Sequence, residues 1–366
     1  MATIKDVAKA ASVSIATVSR VFSDTTVVRA ETERRVRDAA ASLRYSPHNG
    51  ARSLITSRTN TLGVLLPDLY GEFFSEVIRG IDLAARRSGY HIIISGSHND
   101  KSEIEAALRA MRGRVDGILL MSPDIDADSL LNIPQNLPVV MLCSASNGHD
   151  IDTVVIQNYS GARDMVAHLI SLGHRRIAII NGAVGNYDAS ERLRGYRAAL
   201  RAAGIATDES LERDGDFTEA GGYSAAQKFL AAKPRPTAIF AANDSMAIGA
   251  LSALRESGVR IPRDMAVAGF DDIPLSRYMD PPLSSVSVPM ADLGARAVEI
   301  LLRGIAHKNT HKRRRERVST EIVIRQSSGA PCAERPPPSH HRNAAAKLHL
   351  RESPTSRRTT TINRDT

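Results

Sequence analysis

Three side chains near the N-terminus have the chemistry to read the edge of a base pair. Arg20 follows Ala16 by four residues and Ile15 by five, so one helix would place all three on a single face. The arginine fork can bridge O6 and N7 of guanine, while Ile15 and Ala16 offer apolar contact, for example to a thymine methyl. Elsewhere the 366 residues carry no such plain chemical signature. There are eleven histidines but no HExxH, and there is no GxSxG, P-loop or GxGxxG. The adjacent carboxylates Asp271 and Asp272 invite an acid–base reading, but neighbouring residues in a loop usually diverge. Cys143 and Cys332 are the only cysteines and stand in unrelated surroundings, so neither a metal site nor a disulfide framework is expected. An enzyme is therefore the weaker reading.

The elements that must position Arg20 can be read from the pattern. Thr3 can cap a helix over 4–11 with Ile4, Val7 and Ala8 inward. Ala11-Ser12-Val13 forms a tight turn. Ser14 then caps a helix over 15–22 whose Val18, Val21 and Phe22 face inward. A third helix over 30–43 carries Val36, Ala40 and Leu43 as its stripe, and Arg29 stands where a hydroxyl cap is usual. Two helices on a three-residue turn with a supporting third form a helix-turn-helix, whose second helix enters the major groove. On pattern alone a small bundle for protein contact remains open. The charge points to nucleic acid: residues 1–60 hold ten Lys/Arg against five Asp/Glu, whereas 61–306 hold 24 against 30.

Residues 46–60, with Pro47 and Gly50, read as a linker. From 61 to about 326 short apolar runs alternate with amphipathic stretches. Candidate strands are 61–66, 90–95, 117–121, 138–142, 176–180, 237–241 and 265–270, separated by helices such as 75–88, 159–172 and 188–203. Gly89, Gly173, Gly204 and Gly258 stand where helices should stop. Nearly all-apolar strands in this rhythm belong to parallel sheets covered on both faces. The rhythm restarts near Tyr159, which implies two doubly wound halves with a cleft between them. Beyond 327 the composition turns to Pro, Ser, Thr, Arg and His, and residues 329–366 are expected to form a disordered basic tail. No run of about 18 apolar residues is present to span a membrane, and the N-terminus lacks a signal-peptide pattern. With so few cysteines, a cytoplasmic protein is expected.

The string Ala2-Thr3-Ile4-Lys5-Asp6-Val7-Ala8-Lys9-Ala10-Ala11-Ser12-Val13-Ser14, followed by Ala16-Thr17-Val18-Ser19-Arg20-Val21, closely resembles the headpiece of the LacI/GalR family of transcription regulators. Tyr45-Ser46-Pro47 and Ala51-Arg52-Ser53-Leu54 resemble the end of that headpiece and its hinge. The likeness continues in order through Thr61-Leu62-Gly63-Val64, Arg114-Val115-Asp116-Gly117-Ile118, Leu172-Gly173-His174, Pro236-Thr237-Ala238-Ile239-Phe240 and Ala268-Gly269-Phe270-Asp271-Asp272, and spans roughly 2–328.

The resemblance implies a homodimer, most simply a repressor, in which each headpiece (1–45) reads half of a near-palindromic operator in double-stranded DNA. Thr3, Ser14, Ile15, Ala16, Thr17, Arg20, Tyr45, Ala51 and Leu54 are the implied DNA-binding residues. The hinge, 46–60, would fold on DNA and press Leu54 into the minor groove as an apolar wedge. Gly50 replaces the larger apolar residue often found there. The sensor, 61–328, is expected to resemble periplasmic sugar-binding proteins. Lobe one would cover about 61–158 and 290–305, lobe two about 159–288 and 318–326, with crossovers near Pro289 and Arg317. Implied effector-binding residues are Phe73, Asn186, Asp188, Arg192, Phe217, Asn243 and Asp271. Their carboxylate, amide, guanidinium and aromatic groups suit a sugar or sugar-like effector. Cys143 departs from the acidic residue common at that strand end. No cofactor or metal is implied. A periplasmic binding protein is a second alternative, opposed by the headpiece.

Overall fold

The computed structural model describes residues 2–23, 28–45, 58–98, 100–121, 137–144, 151–307 and 312–329. Three short helices form the headpiece: α1 (Ile4–Ala10), α2 (Ile15–Ser23) and α3 (Ala30–Ser42). Val7, Ala8, Ala11, Val18, Val21, Val36 and Ala40 close their shared core. Ser12, at φ 53°, makes the reversal between α1 and α2. The α3 side chain Arg35 locks that turn by donating from Nη2 to the Ala11 carbonyl at 2.8 Å. One local expectation is corrected. Leu43 lies past the end of α3 and is exposed, because the chain turns there; Ala39 and Tyr45 pack on the core instead. Thr3 is the N-cap of α1 in a capping box, with its amide and its hydroxyl each donating to the Asp6 carboxylate at 2.8 Å.

Two six-stranded sheets follow. The first runs β11-β5-β4-β3-β1-β2 and is wholly parallel. Its strands are β1 (Thr61–Leu66), β2 (His91–Gly96), β3 (Gly117–Leu120), β4 (Val139–Leu142), β5 (Asp152–Ile156) and β11 (Arg315–Val318). Helices α4 (Glu72–Arg87) and α5 (Lys101–Met111) alternate with them, and α10 (Met290–Ala306) returns to pack on α4 and on β3, β4 and β5. The α4–α10 crossing is tight: a Cβ at Gly80 would sit 1.9 Å from the Ala291 carbonyl oxygen. Glycine is thus needed to let these two helices meet.

The second sheet runs β12-β10-β9-β8-β6-β7. It contains β6 (Ile177–Asn181), β7 (Glu212–Asp214), β8 (Ala238–Ala241), β9 (Ala266–Asp271), β10 (Ser284–Ser287) and β12 (Glu321–Val323), with α6 (Asn158–Ser171), α7 (Tyr187–Ala202), α8 (Glu219–Ala231) and α9 (Asp244–Glu256). The helix-ending glycines Gly89, Gly173, Gly204 and Gly258 all have positive φ, the conformation expected of them.

The strand expected in lobe two over 318–326 is β12, which runs antiparallel to β10 in the second sheet. β11, just before it, pairs parallel with β5 in the first sheet, so the chain crosses at residues 319–320, close to the expected Arg317. Charge on β11 is tolerated because it is an edge strand. The parallel expectation holds for every other pairing of the second sheet. Among the described residues no helix is long and apolar enough to cross a membrane.

Candidate DNA-reading face and ligand cleft

Helix α2 begins where the Ser14 hydroxyl accepts the Thr17 amide at 3.1 Å, and the two hydroxyls lie 2.9 Å apart. Burial of Val18 and Val21 against α1 and α3 fixes the rotation of the helix. That rotation turns Ile15 (45% exposed), Ala16 and Arg20 outward together, with Ser14 exposed and Thr17 half-buried at the helix start. Thr3 is exposed beside Asp6. Tyr45 is half-buried with its ring edge-on to Phe22, centroids 6.0 Å apart, so its role includes holding the end of α3 against α2. Ala51 and Leu54, with most of the hinge, lie outside the described residues.

A cavity of about 270 Å³ opens between the two sheets. All seven residues expected there line it: Phe73, Asn186, Asp188, Arg192, Phe217, Asn243 and Asp271. The convergence has a topological cause. In parallel sheets the loops leaving the C-terminal strand ends define the binding crevice. Met121, Cys143, Asn243 and Asp271 stand at or just past such ends, and Phe73, Asp188 and Arg192 lie in the opening turns of the helices that follow.

Arg192 organises the floor. Nε donates to Asn158 Oδ1 at 2.8 Å, Nη1 donates to the Ala242 carbonyl, and Nη2 lies 3.4 Å from Asp271 Oδ1. The guanidinium carbon sits 3.8 Å from the centroid of the Phe270 ring, a cation–π contact. Asn158 passes the chain on, donating to Asp188 Oδ1 at 2.7 Å. Burial dominates the titration of these carboxylates. It raises Asp188 to about 6, with Arg192, Asn158 and the Cys143 thiol pulling back. It raises Asp271 to about 7, again partly offset by Arg192. Beneath them Asp244 reaches about 8, through burial and then the charge of Asp271. It accepts from Ser276 and Ser285, both at 2.6 Å, and from the Ile273 amide at 2.9 Å. Asp244 thus ties down the loop that follows Asp271. Burial pushes the Cys143 thiol well up, so it stays protonated and hydrogen-bonds Asp188.

The two asparagines are also structural. Asn186 Oδ1 caps α7 through the Ala189 amide at 3.0 Å. Asn243 Oδ1 caps α9 through the Met246 amide at 2.9 Å, and its Nδ2 holds the Phe217 carbonyl at 3.0 Å. Phe217, at φ 67°, lies over Gly182, where a Cβ would meet its ring at 2.0 Å. Asp272, beside Asp271, turns away to pair with Arg325 at 2.7 Å, so the adjacent carboxylates do diverge.

Sequence reasoning missed the rim. Asp68, Tyr70, Glu72, Asp216 and Glu219 also line the cavity. The available signal was position, since Asp68 and Asp216 each follow a strand of the parallel layers within two residues. Glu72 also joins the lobes, its Oε2 accepting the Leu275 amide across the cleft at 3.0 Å.

Comparison with known proteins places this architecture. Residues 3–48 match the family model described as bacterial regulatory proteins, lacI family, and residues 166–328 match the periplasmic binding protein-like domain. The HTH-type transcriptional repressor PurR of Mannheimia succiniciproducens is 36% identical over 330 residues, covering 89% of this chain and 98% of that protein. The PurR of Photobacterium profundum is 37% identical with the same coverage. Among solved structures, a lac repressor dimer bound to operator and the anti-inducer ONPF has a TM-score of 0.81 at 29% identity, covering 90% of this chain and 99% of that one. A transcriptional regulator CelR–cellobiose complex has a TM-score of 0.68 at 31% identity, covering 89% and 100%. The chain belongs to the LacI family of transcriptional repressors, with a helix-turn-helix DNA-binding region and an effector-binding domain, and is not an enzyme.

Proposed function

We propose that the chain acts in the cytoplasm as a homodimer, binds a near-palindromic operator through the face of Ile15, Ala16 and Arg20, and represses transcription under control of a small sugar-like effector. On this reading residues 1–45 are the headpiece, 46–60 the hinge, where Ala51 and Leu54 engage the minor groove, 61–328 the sensor and 329–366 an appended basic tail. Thr3, Ser14, Thr17 and Tyr45 support phosphate contact and helix placement around the base-reading face. The observation that carries the effector reading is the convergence of Phe73, Phe217, Asp188, Arg192 and Asp271 on one cavity from two lobes. Flat apolar faces suit sugar carbons, and buried carboxylate and guanidinium groups suit hydroxyls. The solved cellobiose complex and the operator-bound dimer, both similar over most of this chain, support the same reading.

A ligand that distinguishes two lobe arrangements shifts DNA affinity by that difference, typically about 1–3 kcal/mol. The test is operator titration at fixed salt, with and without members of a sugar and nucleobase panel. A shift in operator affinity with a sugar supports the reading. A shift confined to nucleobases replaces the sugar with a purine-type effector.

A further inference from the structure

The rim of the cleft is strongly one-signed. Among the described residues its lining carries six carboxylates, Asp68, Glu72, Asp188, Asp216, Glu219 and Asp271, against one cation, Arg192. That cation is already engaged by Asn158, the Ala242 carbonyl, Asp271 and the Phe270 ring. The carboxylates hold acceptor capacity in reserve. Asp68 and Asp216 use Oδ1 on their own loops, and Glu219 uses Oε1 on Ser245. On the floor, Asp271 is 4% exposed, and its Oδ1 makes no hydrogen bond within the described residues, with only the long 3.4 Å ion pair to Arg192. A buried acceptor in that state favours a ligand that brings a donor.

We propose that the cleft selects its polyhydroxy ligand by charge, taking one that bears a protonated amine and rejecting phosphorylated or carboxylated counterparts. The proposal rests on the sugar-like reading of the effector above. An ammonium carries three donors and a positive charge into a site that offers surplus acceptors and negative charge. Asp271 on the floor and the rim carboxylates are its partners. A phosphate would meet the same field with the opposite sign and find no free cation among the described lining side chains. Several carboxylates within about a Debye length of the ligand make the effect about tenfold in affinity per unit of ligand charge at physiological salt.

The test uses the full-length chain and isothermal titration with matched triads: glucosamine, glucose and glucose 6-phosphate, and the same three forms of galactose and mannose. In at least one triad the amine should bind about tenfold more tightly than the free sugar, and the phosphate about a hundredfold more weakly. Raising salt should narrow the amine's advantage and leave the neutral sugar's affinity unchanged. Asp216→Asn with Glu219→Gln, checked for an unchanged thermal midpoint, should cut the amine's advantage severalfold. A phosphate that binds as well as its free sugar, or an amine that gains nothing over it, overturns the charge selection while leaving the sugar reading intact. Failure of every triad overturns the sugar reading, and the charge proposal falls with it.

Discussion

Arg192→Met deletes a guanidinium that Asn158, the Ala242 carbonyl, Asp271 and Phe270 share. Removing one member of a buried ion pair costs about 3–5 kcal/mol, because the survivor stays desolvated without its partner. The survivor here can escape by taking a proton. Asp271 already sits at about 7 in the folded chain, against 3.8 for the ordinary carboxylate, and Arg192 is what holds it down. A folded value above the unfolded one means stability that is complete below the unfolded pKa and is lost as pH rises through the folded one. In the parent that loss ends near pH 7. In Arg192→Met the Asp271 value rises further, and Asp188, which Arg192 also lowers, moves the same way. The variant should therefore lose about 1.4 kcal/mol more than the parent between pH 7 and pH 8. Urea unfolding at pH 6, 7 and 8 measures this for the parent, Arg192→Met, Asp271→Asn and the double variant. The double variant should recover about 1–3 kcal/mol of coupling and lose the part of the extra pH slope that Asp271 supplies, keeping the part due to Asp188. An Arg192→Met penalty that is the same at all three pH values would refute the argument that Asp271 and Asp188 answer to this arginine.

Three further outcomes are expected. Arg20→Ala should weaken specific operator binding by about 1–3 kcal/mol with less effect on random DNA; equal losses in a salt-matched gel shift would assign Arg20 to phosphate. Gly80→Ala should lower the stability of the sensor by about 1–3 kcal/mol or more, since its methyl would overlap the Ala291 carbonyl; a calorimetric midpoint equal to the parent's would contradict the close approach of α4 and α10. Glu72→Ala removes the 3.0 Å hydrogen bond to Leu275 across the cleft, so effector affinity should fall by about 0.5–1.5 kcal/mol. Titration showing unchanged effector affinity would mean that this contact does not help to hold the lobes together.

Most of the strands that could be read in the sequence are buried on both faces; the exception is the edge strand β2, expected at 90–95 and found at 91–96. β1, β3, β4, β6, β8 and β9 are almost all apolar and fall within a residue or two of their expected positions. β5, Asp152–Ile156, escaped notice although it is buried throughout; the others that escaped are polar for identifiable reasons. β7, Glu212-Arg213-Asp214, and β11, Arg315-Glu316-Arg317-Val318, lie at sheet edges where one side needs no apolar cover. β10 is Ser284-Ser285-Val286-Ser287, and its first two serines are fully buried. It is hidden because the hydroxyls find partners far away in sequence: Ser284 with Arg325 and Ser328, Ser285 with Asp244. No periodicity can announce such a strand, since the groups that satisfy it arrive only after folding.

The cleft shows the same division. Its seven expected residues came from likeness to a family, whereas Asn158, Asp244 and Phe270, which hold those residues in place, carry no local signal at all. Asp244 reads as an ordinary helix-opening acid; only burial and the Ser276 and Ser285 hydroxyls show that it anchors the loop after Asp271.

Strand β1 sharpens what the effector must do on the proposed reading. At its N-terminal end the Asp116 carboxylate accepts the Thr59 amide at 2.7 Å, the Thr59 hydroxyl at 2.9 Å and the Asn60 amide at 2.9 Å. This fastens the point where the chain from the headpiece enters the sensor. At the other end Pro67 and Asp68 line the cavity. Ligand and tether are thus separated by a six-residue strand, about 20 Å long, buried along nearly its whole length and bonded on both sides. A strand so packed does not stretch or slide by enough to carry a signal. Coupling must then run through motion of lobe one as a body, with β1 and Asp116 carrying the tether along. The chain passes between the lobes at Gln157, at Pro289 and at residues 319–320. On the proposed reading, an effector that closes Phe73 toward Phe217 and Asp271 would rotate lobe one about those joints. The same rotation would displace Thr59 in each protomer of the proposed dimer, and hence the spacing at which its two headpieces meet DNA.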